Sequence, residues 1–251
     1  MNTALFELID RDYNGLIAYG LSEQEIISTG IPQLDMITGG GIPKGRIVEI
    51  HGAEDSGKTA LALHLARQLP GPMLYVDADH GLSPYILNGA EGYLLEAGTM
   101  ENTLDACTAA ARSGALGAIV IDTMAALPTN EDMRNRFTGG CWGQCERQAK
   151  VISKAMPILN KMLHCGSCTL ILVNQLRERL GVMYGNPERP TGGRAVGYYA
   201  ALRLRTARIA AVREGGRTSG QTVKVTVTKC KYAPPGRQAE IQLIYGEGLQ
   251  P

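Results

Sequence analysis

The segment Gly52-Ala53-Glu54-Asp55-Ser56-Gly57-Lys58-Thr59 constrains this chain more than any other. It fits the pattern G-x-x-x-x-G-K-[ST] in full and stands between an apolar run, Ile47 to Ile50, and a helical pattern that starts at Lys58. The two glycines let the backbone curl so that successive N–H groups point inward, and the following helix adds its positive amino end. Such a loop is predicted to cradle phosphate oxygens, with Gly52 to Thr59 and the next residue, Ala60, around them. Lys58 is expected to reach the β and γ phosphates and the Thr59 hydroxyl to hold magnesium, so ATP and Mg2+ are the expected ligands. The other reading is a glycine turn that happens to precede a helix; the apolar strand in front of the loop argues against it.

Around this loop, strand and helix patterns alternate. Ile47 to Ile50 is followed by a helix from Lys58 to Leu69, a strand from Met73 to Val76 and a helix through Met100 to Ser113. A strand from Ala118 to Ile121, a helix from about Gln144 to Leu163 and a strand from Thr169 to Val173 complete the series. Alternation of this kind predicts parallel βαβ units with helices on both faces. Farther on, Ala201 to Thr206, Ala210 to Arg213, Thr222 to Thr228 and Ala239 to Ile244 alternate with a period of two, as antiparallel strands do. The expected fold is therefore α/β, with a mixed, mainly parallel central sheet flanked by helices. The glycine- and arginine-rich stretch from Leu176 to Arg194 reads as a long functional loop. Asp122 closes the strand Ala118 to Ile121 and brings a carboxylate to the edge of the sheet where open α/β folds bind ligands. It is expected to hold the magnesium beside Thr59, with a helix cap as the other role for an aspartate there.

A chain of 251 residues with 44% apolar composition buries one sizeable core with short appendages. Residues 1–28 are too small to form a core by themselves and must dock on something, leaving 29–251 as the core. A net charge of +1 excludes a molecule coated in basic residues, so contact with nucleic acid must come from a local cluster. Glu7, Asp10 and Asp12 do not suit a secretory signal, and no apolar run approaches the roughly 18 residues of a membrane span, so no membrane and a cytoplasmic setting are expected. Cys141 with Cys145 and Cys165 with Cys168, beside His164, loosely imitate zinc spacing. They read instead as ordinary small residues, the first pair in a loop entering a helix and the second in the turn before the strand at Thr169.

Several stretches together resemble the RecA recombinase family. They are Ser28-Thr29-Gly30 with Leu34-Asp35, Gly45-Arg46-Ile47-Val48-Glu49-Ile50, the phosphate loop, Asn174-Gln175-Leu176-Arg177, Gly181-Val182-Met183-Tyr184-Gly185-Asn186-Pro187, Thr191-Gly192-Gly193 and Tyr245-Gly246-Glu247-Gly248. The resemblance runs from about Ser28 to the end of the chain. It implies a RecA-like P-loop NTPase core in which Gln175 senses the γ-phosphate and passes its state to the DNA loop that follows. Arg177, Gly181, Met183, Tyr184, Gly185, Asn186, Glu188, Gly192, Gly193 and Arg194 match or lie beside that loop's positions, with Tyr184 in place of the family's usual Phe. A first DNA loop is implied between about Asn130 and Gln144, where Arg134, Arg136, Phe137 and Trp142 replace the usual residues. Trp142 would either stack on a base or pack on the following helix. Lys229 and Lys231 resemble the paired lysines that reach into a neighbouring subunit's ATP site, Tyr198 resembles an aromatic at the subunit contact, and residues 1–28 resemble a shortened form of the arm that docks on the adjacent subunit.

The chain departs from the family pattern in Tyr75-Val76-Asp77-Ala78-Asp79-His80, where Asp79 stands in place of the glutamate that activates the attacking water. Near the adenine, Ser83 replaces a usual Asp, and Tyr85 lies one place from the usual stacking Tyr. The chain stops at Pro251, where the family's carboxyl-terminal domain would begin. The resemblance implies a DNA-dependent ATPase that forms helical filaments on single-stranded DNA, pairs it with homologous duplex DNA and exchanges strands in recombination and repair. The alternatives are a filament mediator or cap with weak ATPase activity, and a hexameric helicase-type motor, which lacks the second-loop signature.

Overall fold

The computed structural model describes residues 23–81, 91–135, 143–178, 188–190 and 193–250. Most of segment 1–28, expected to dock on another subunit, thus lies outside the described residues, as do Ser83 and Tyr85, the stretch from Arg136 to Trp142, and Gly181 to Asn186 with Gly192. A short ribbon of β1 (Ile26–Ile27) and β2 (Ile42–Pro43) brackets α1 (Pro32–Thr38). The central part then runs β3 (Ile47–Gly52), α2 (Lys58–Gln68), β4 (Met73–Asp77), β5 (Gly92–Glu96), α3 (Met100–Ser113) and β6 (Ala118–Asp122). Next come α4 (Asn130–Asn135), α5 (Gln144–Gly166), β7 (Thr169–Glu178), β8 (Glu188–Pro190) and α6 (Gly193–Tyr199). The chain ends in β9 (Leu202–Glu214), β10 (Arg217–Cys230), β11 (Gln238–Ile244) and β12 (Gly248–Gln250).

The main sheet has the order β12-β11-β10-β9-β3-β7-β6-β4-β5, with β8 paired to β7. From β9 to β5 the pairings are parallel, and from β9 to β12 they are antiparallel. Every residue of β3 and β6 is buried, as expected of central strands covered on both faces. Side chains alternate between the two faces along each strand. Val48, Ile50, Tyr75, Val120 and Val173 pack with α1 and α2 in one apolar cluster, whereas Ile47, Val76, Ile121 and Leu172 pack with α3 and α5 in the other.

Several expected elements change length or identity. Ala201 to Thr206 and Ala210 to Arg213 belong to one strand, β9, whose outer half is exposed and carries no pattern of burial. Part of the expected loop from Leu176 to Arg194 is strand and helix. β7 runs on to Glu178 and pairs antiparallel with β8 in the register Arg177↔Arg189, and α6 begins at Gly193. Cys165 lies in the last turn of α5 rather than in the turn after it. The edge strand β5 has no burial pattern to betray it, since only Leu95 within it is shielded.

Beneath the phosphate loop, on the face packed by α5, a buried polar cluster ties three strands together. Glu49 of β3 accepts from Asn174 Nδ2 of β7 at 2.8 Å and from Arg203 Nε of β9. A carboxylate this deeply buried requires such partners. His51 is buried next to the cluster, and its Nδ1 has no hydrogen-bond partner among the described residues. Burial drives its pKa from the ordinary 6.5 down to about 4; Glu49 opposes the shift, and Arg203 and Arg205 add to it.

The unfolded chain therefore takes up a proton below pH 6.5 that the folded chain refuses until about pH 4. Stability from His51 is present above that window and is lost as pH falls through it. Between about pH 7 and pH 5 the loss should be about 2 kcal/mol, from 1.36 kcal/mol per pKa unit. Thermal melts of wild type and His51→Gln across this range test it: the variant's curve should be flatter, and parallel curves would refute the assignment.

Candidate active site

The register of the parallel strands aligns their carboxyl ends, with Gly52 opposite Gln175 and Asp77 opposite Asp122. Gly52 ends β3 where only glycine fits, since a Cβ there would lie 2.4 Å from Thr206 O and 2.6 Å from Ser56 Oγ. The loop that leaves it is held from inside and outside. Ser56 Oγ donates to Ala53 O at 2.7 Å and lies 2.8 Å from Thr206 Oγ1, and Gln221 Nε2 donates to Asp55 O at 3.0 Å. Asp55 and Gly57 both take left-handed backbone conformations, with φ of 55° and 80°, which curls the loop toward the start of α2.

Lys58 donates from Nζ to Ala53 O at 2.6 Å. Burial pulls its pKa below the usual lysine value, and Asp122, Glu54 and Asp55 counter that effect. The loop opens onto a cavity of about 510 Å³, walled by Asp55 to Ala60 on one side and by Arg208, Gln221, Leu243 and Tyr245 on the other. This volume falls within the range of small-ligand sites. These last four residues escape sequence reasoning, although Tyr245 opens a stretch that sequence resemblance singles out.

Thr59 Oγ1 donates to Asp122 Oδ2 at 2.5 Å, and Tyr75 OH donates to the same oxygen at 3.0 Å. Burial raises the Asp122 pKa, while the hydrogen bonds from Thr59 and Tyr75 pull it back down. Burial and the neighbouring Asp122 hold the Tyr75 phenol protonated. A hydroxyl and a carboxylate at the foot of a phosphate loop are hard oxygen donors of the kind Mg2+ takes, together with phosphate oxygens and water, so the residues fit that ion. The Asp122 side chain is bonded to the hydroxyls of Thr59, 63 residues away, and Tyr75, 47 residues away. Ala78 N donates to Asp122 O at 2.8 Å and pins the strand end that leads to Asp79. Asp79 is exposed, and its Oδ1 accepts from Gly81 N at 3.2 Å, an amide that also lies 3.3 Å from Asp77 Oδ1.

Lys58, Thr59, Asp79, Asp122 and Gln175 thus meet at one edge of the sheet. Gln175 is exposed there, and β7 continues from it directly into the ribbon with β8 that holds Arg177 and Glu188. Gly193 opens α6 with φ of 75°, and Arg194 is exposed on its first turn. Lys229 points away from this edge: its Nζ donates to Gly197 O and Tyr198 O, both at 2.8 Å, at the end of α6. β10 runs antiparallel to β9, so Lys229 pairs with Arg203, level with Glu49 and back from the strand ends, and a bulge in which Thr228 is the extra residue turns it to the face of α6. Lys231 and Tyr198 are exposed. Among the described residues, no group of three His, Cys, Asp or Glu side chains is placed to hold a metal.

Lys58→Ala should weaken binding of a fluorescent ATP analogue at least tenfold and abolish hydrolysis, because the phosphates lose a cation in a half-buried site. Asp122→Asn should keep the fold and raise the magnesium concentration needed for turnover by about tenfold or more, as a charged ligand becomes neutral. Equilibrium titrations and a phosphate-release assay read both, and near-normal values in either variant would contradict the assignment.

The sequence model of the RecA N-terminal domain matches residues 7–250. "Protein RecA" of Aquifex pyrophilus is 41% identical over 236 residues, which cover 90% of this chain and 67% of that protein. Its counterpart in Dichelobacter nodosus is 36% identical over 262 residues, covering 98% of this chain and 74% of its own. The chain thus spans about two thirds to three quarters of the length of these relatives. The crystal structure of the RadB recombinase superposes with a TM-score of 0.65 at 18% identity, covering 89% of this chain and 98% of that one, a likeness of fold. With a family match across nearly its whole length and relatives this similar, the chain belongs to the RecA family.

Proposed function

We propose that this chain is a magnesium-dependent ATP hydrolase whose nucleotide state governs its grip on single-stranded DNA. Copies assemble on that DNA into a helical filament in the cytoplasm, pair it with homologous duplex DNA and exchange strands. In this reading residues 1–28 dock on the adjacent subunit and 29–251 form the ATPase and DNA-binding core. The observation that carries it is the course of β7, which sets Gln175 in register with Gly52 of the phosphate loop and then runs unbroken into the β7–β8 ribbon. A rigid strand joins the nucleotide edge to the arginine-bearing DNA segment, so a change at one end is felt at the other.

The backbone amides of the loop and the Lys58 ammonium bind the β and γ phosphates. Thr59 and Asp122 would hold Mg2+, which neutralises charge on the phosphates. Asp79 accepts the proton of a water whose oxygen forms a bond to the γ-phosphorus as the bond to the β–γ bridging oxygen breaks, releasing ADP and phosphate. Gln175 contacts the γ-phosphate and reports its presence. Lys229 and Lys231 complete the neighbouring subunit's site, where Lys229 exchanges the two carbonyls of α6 for phosphate oxygens.

Gln175→Ala should keep ATP affinity within about twofold yet remove the difference in DNA affinity between the ATP-analogue and ADP states, since only the reporting contact is lost. Fluorescence anisotropy with labelled single-stranded DNA measures both affinities, and they should fall as salt rises. Equal DNA affinity in the two states of the wild type would sink the coupling. Asp79 is about 1–1.5 Å shorter than a glutamate, on the scale of one C–C bond, and a displacement of that size slows proton transfer. Asp79→Glu should therefore speed single-turnover hydrolysis several-fold at unchanged nucleotide affinity. If wild type is already as fast, Asp79 does not limit the reaction. Electron microscopy with single-stranded DNA and a slowly hydrolysed ATP analogue, beside a strand-exchange assay, tests the whole reading. Filaments with exchange support it, whereas short caps or closed rings without exchange refute it.

A further inference from the structure

Tyr75 is a polar residue that the hydrolytic mechanism leaves unused, although it sits in the middle of the site. It lies on β4 opposite Val120 of β6, so Asp122 is its diagonal neighbour, two residues along the adjacent strand. Both side chains point to the face packed by α2, because Tyr75 and Val120 belong to the cluster that holds Leu61 and Leu65, and Asp122 shares the parity of Val120. The ring is 2% exposed, which fixes the place of its hydroxyl, and that hydroxyl reaches Asp122 Oδ2 at 3.0 Å.

Thr59 is the other donor to the same oxygen, at 2.5 Å. The two donors are not equivalent. Thr59 stands in the first turn of α2, beside the loop that must receive phosphates, and its oxygen is also the one offered to magnesium. Tyr75 has no such double role, since its ring is locked in the core and its hydroxyl proton goes to Asp122. Asp122 alone, on a strand end, has two side-chain torsions to settle, and a carboxylate that holds an ion through Thr59 or water must present a single orientation.

We propose that Tyr75 is the positioning residue of the magnesium site, a core-anchored donor that holds the Asp122 carboxylate in its ion-holding orientation. This rests on the reading of the loop as a magnesium–nucleotide site. It adds that ion affinity depends on a hydroxyl that itself touches neither ion nor nucleotide.

Tyr75→Phe keeps the ring and removes the donor. A fluorescent ATP analogue is titrated against the intact chain, once in EDTA and once across a series of MgCl2 concentrations. Affinity in EDTA should match wild type, while the magnesium concentration for half-maximal enhancement of binding should rise roughly tenfold, the scale of one hydrogen bond to a charged group. Tyr75→Met, which also fills the core without a donor, should give the same displacement. A wild-type magnesium response in either variant overturns the proposal. An equal loss of affinity with and without magnesium also overturns it, because ring packing would then be shaping the loop. If wild-type binding itself ignores magnesium, the magnesium–nucleotide reading fails first, an outcome distinct from a normal wild type with an unaltered Tyr75→Phe.

Discussion

Gly52 approaches β9 so closely that no side chain fits between them, with Thr206 O only 2.4 Å from where a Cβ would stand. This contact puts the start of the phosphate loop directly against the strand that turns the sheet from parallel to antiparallel. Ser56 then reaches Thr206, and Gln221 reaches Asp55 from the next strand over. The loop is thus clamped to the antiparallel half of the molecule by the protein's own groups. Preorganisation of this kind matters because donors already in place need not be rearranged when phosphate enters.

The second constraint is the register of the parallel strands. It sets Asp77 level with Asp122 and, two residues farther along β7, Gly52 level with Gln175, so four strand ends present their chemistry at one edge. Alternation then sorts side chains by face. Tyr75 and Asp122 turn toward α2, where Thr59 lies, while Glu49 and His51 turn toward α5 and form a buried polar seam under the loop. The seam joins β3 to both neighbours through a single carboxylate. That arrangement is costly to bury unless fully partnered, and the same burial, against the pull of Glu49, leaves His51 neutral at ordinary pH.

Much of the fold was legible in the sequence because it rests on local chemistry. The apolar runs of β3, β4, β6 and β7 are buried on both faces, and the α3 boundaries at Met100 and Ser113 follow from a clean helical period. The strand β5 and the outer half of β9 were illegible because both are exposed and held by backbone pairing, which no side-chain pattern records. At the site, Lys58, Thr59 and Asp122 could be read from motif and strand end. Arg208, Gln221, Leu243 and Tyr245, which wall the cavity, could not be placed, since their arrival depends on how the last four strands fold back.

By itself, then, the sequence determined the phosphate loop, the alternation that makes the sheet parallel, and the carboxylate that ends β6, because each is written in neighbouring residues. Only the tertiary structure decided which distant groups would meet there. Ser56 and Thr206 are 150 residues apart, Asp55 and Gln221 are 166 apart, and Tyr75 and Asp122 are 47 apart. It also decided that Lys229 caps α6, since a one-residue bulge at Thr228 reverses the face that alternation assigns to that lysine. The physical reason is the same in each case. Strand register and side-chain parity are properties of pairing between segments, and a slip of one residue would send every one of these groups to the opposite face.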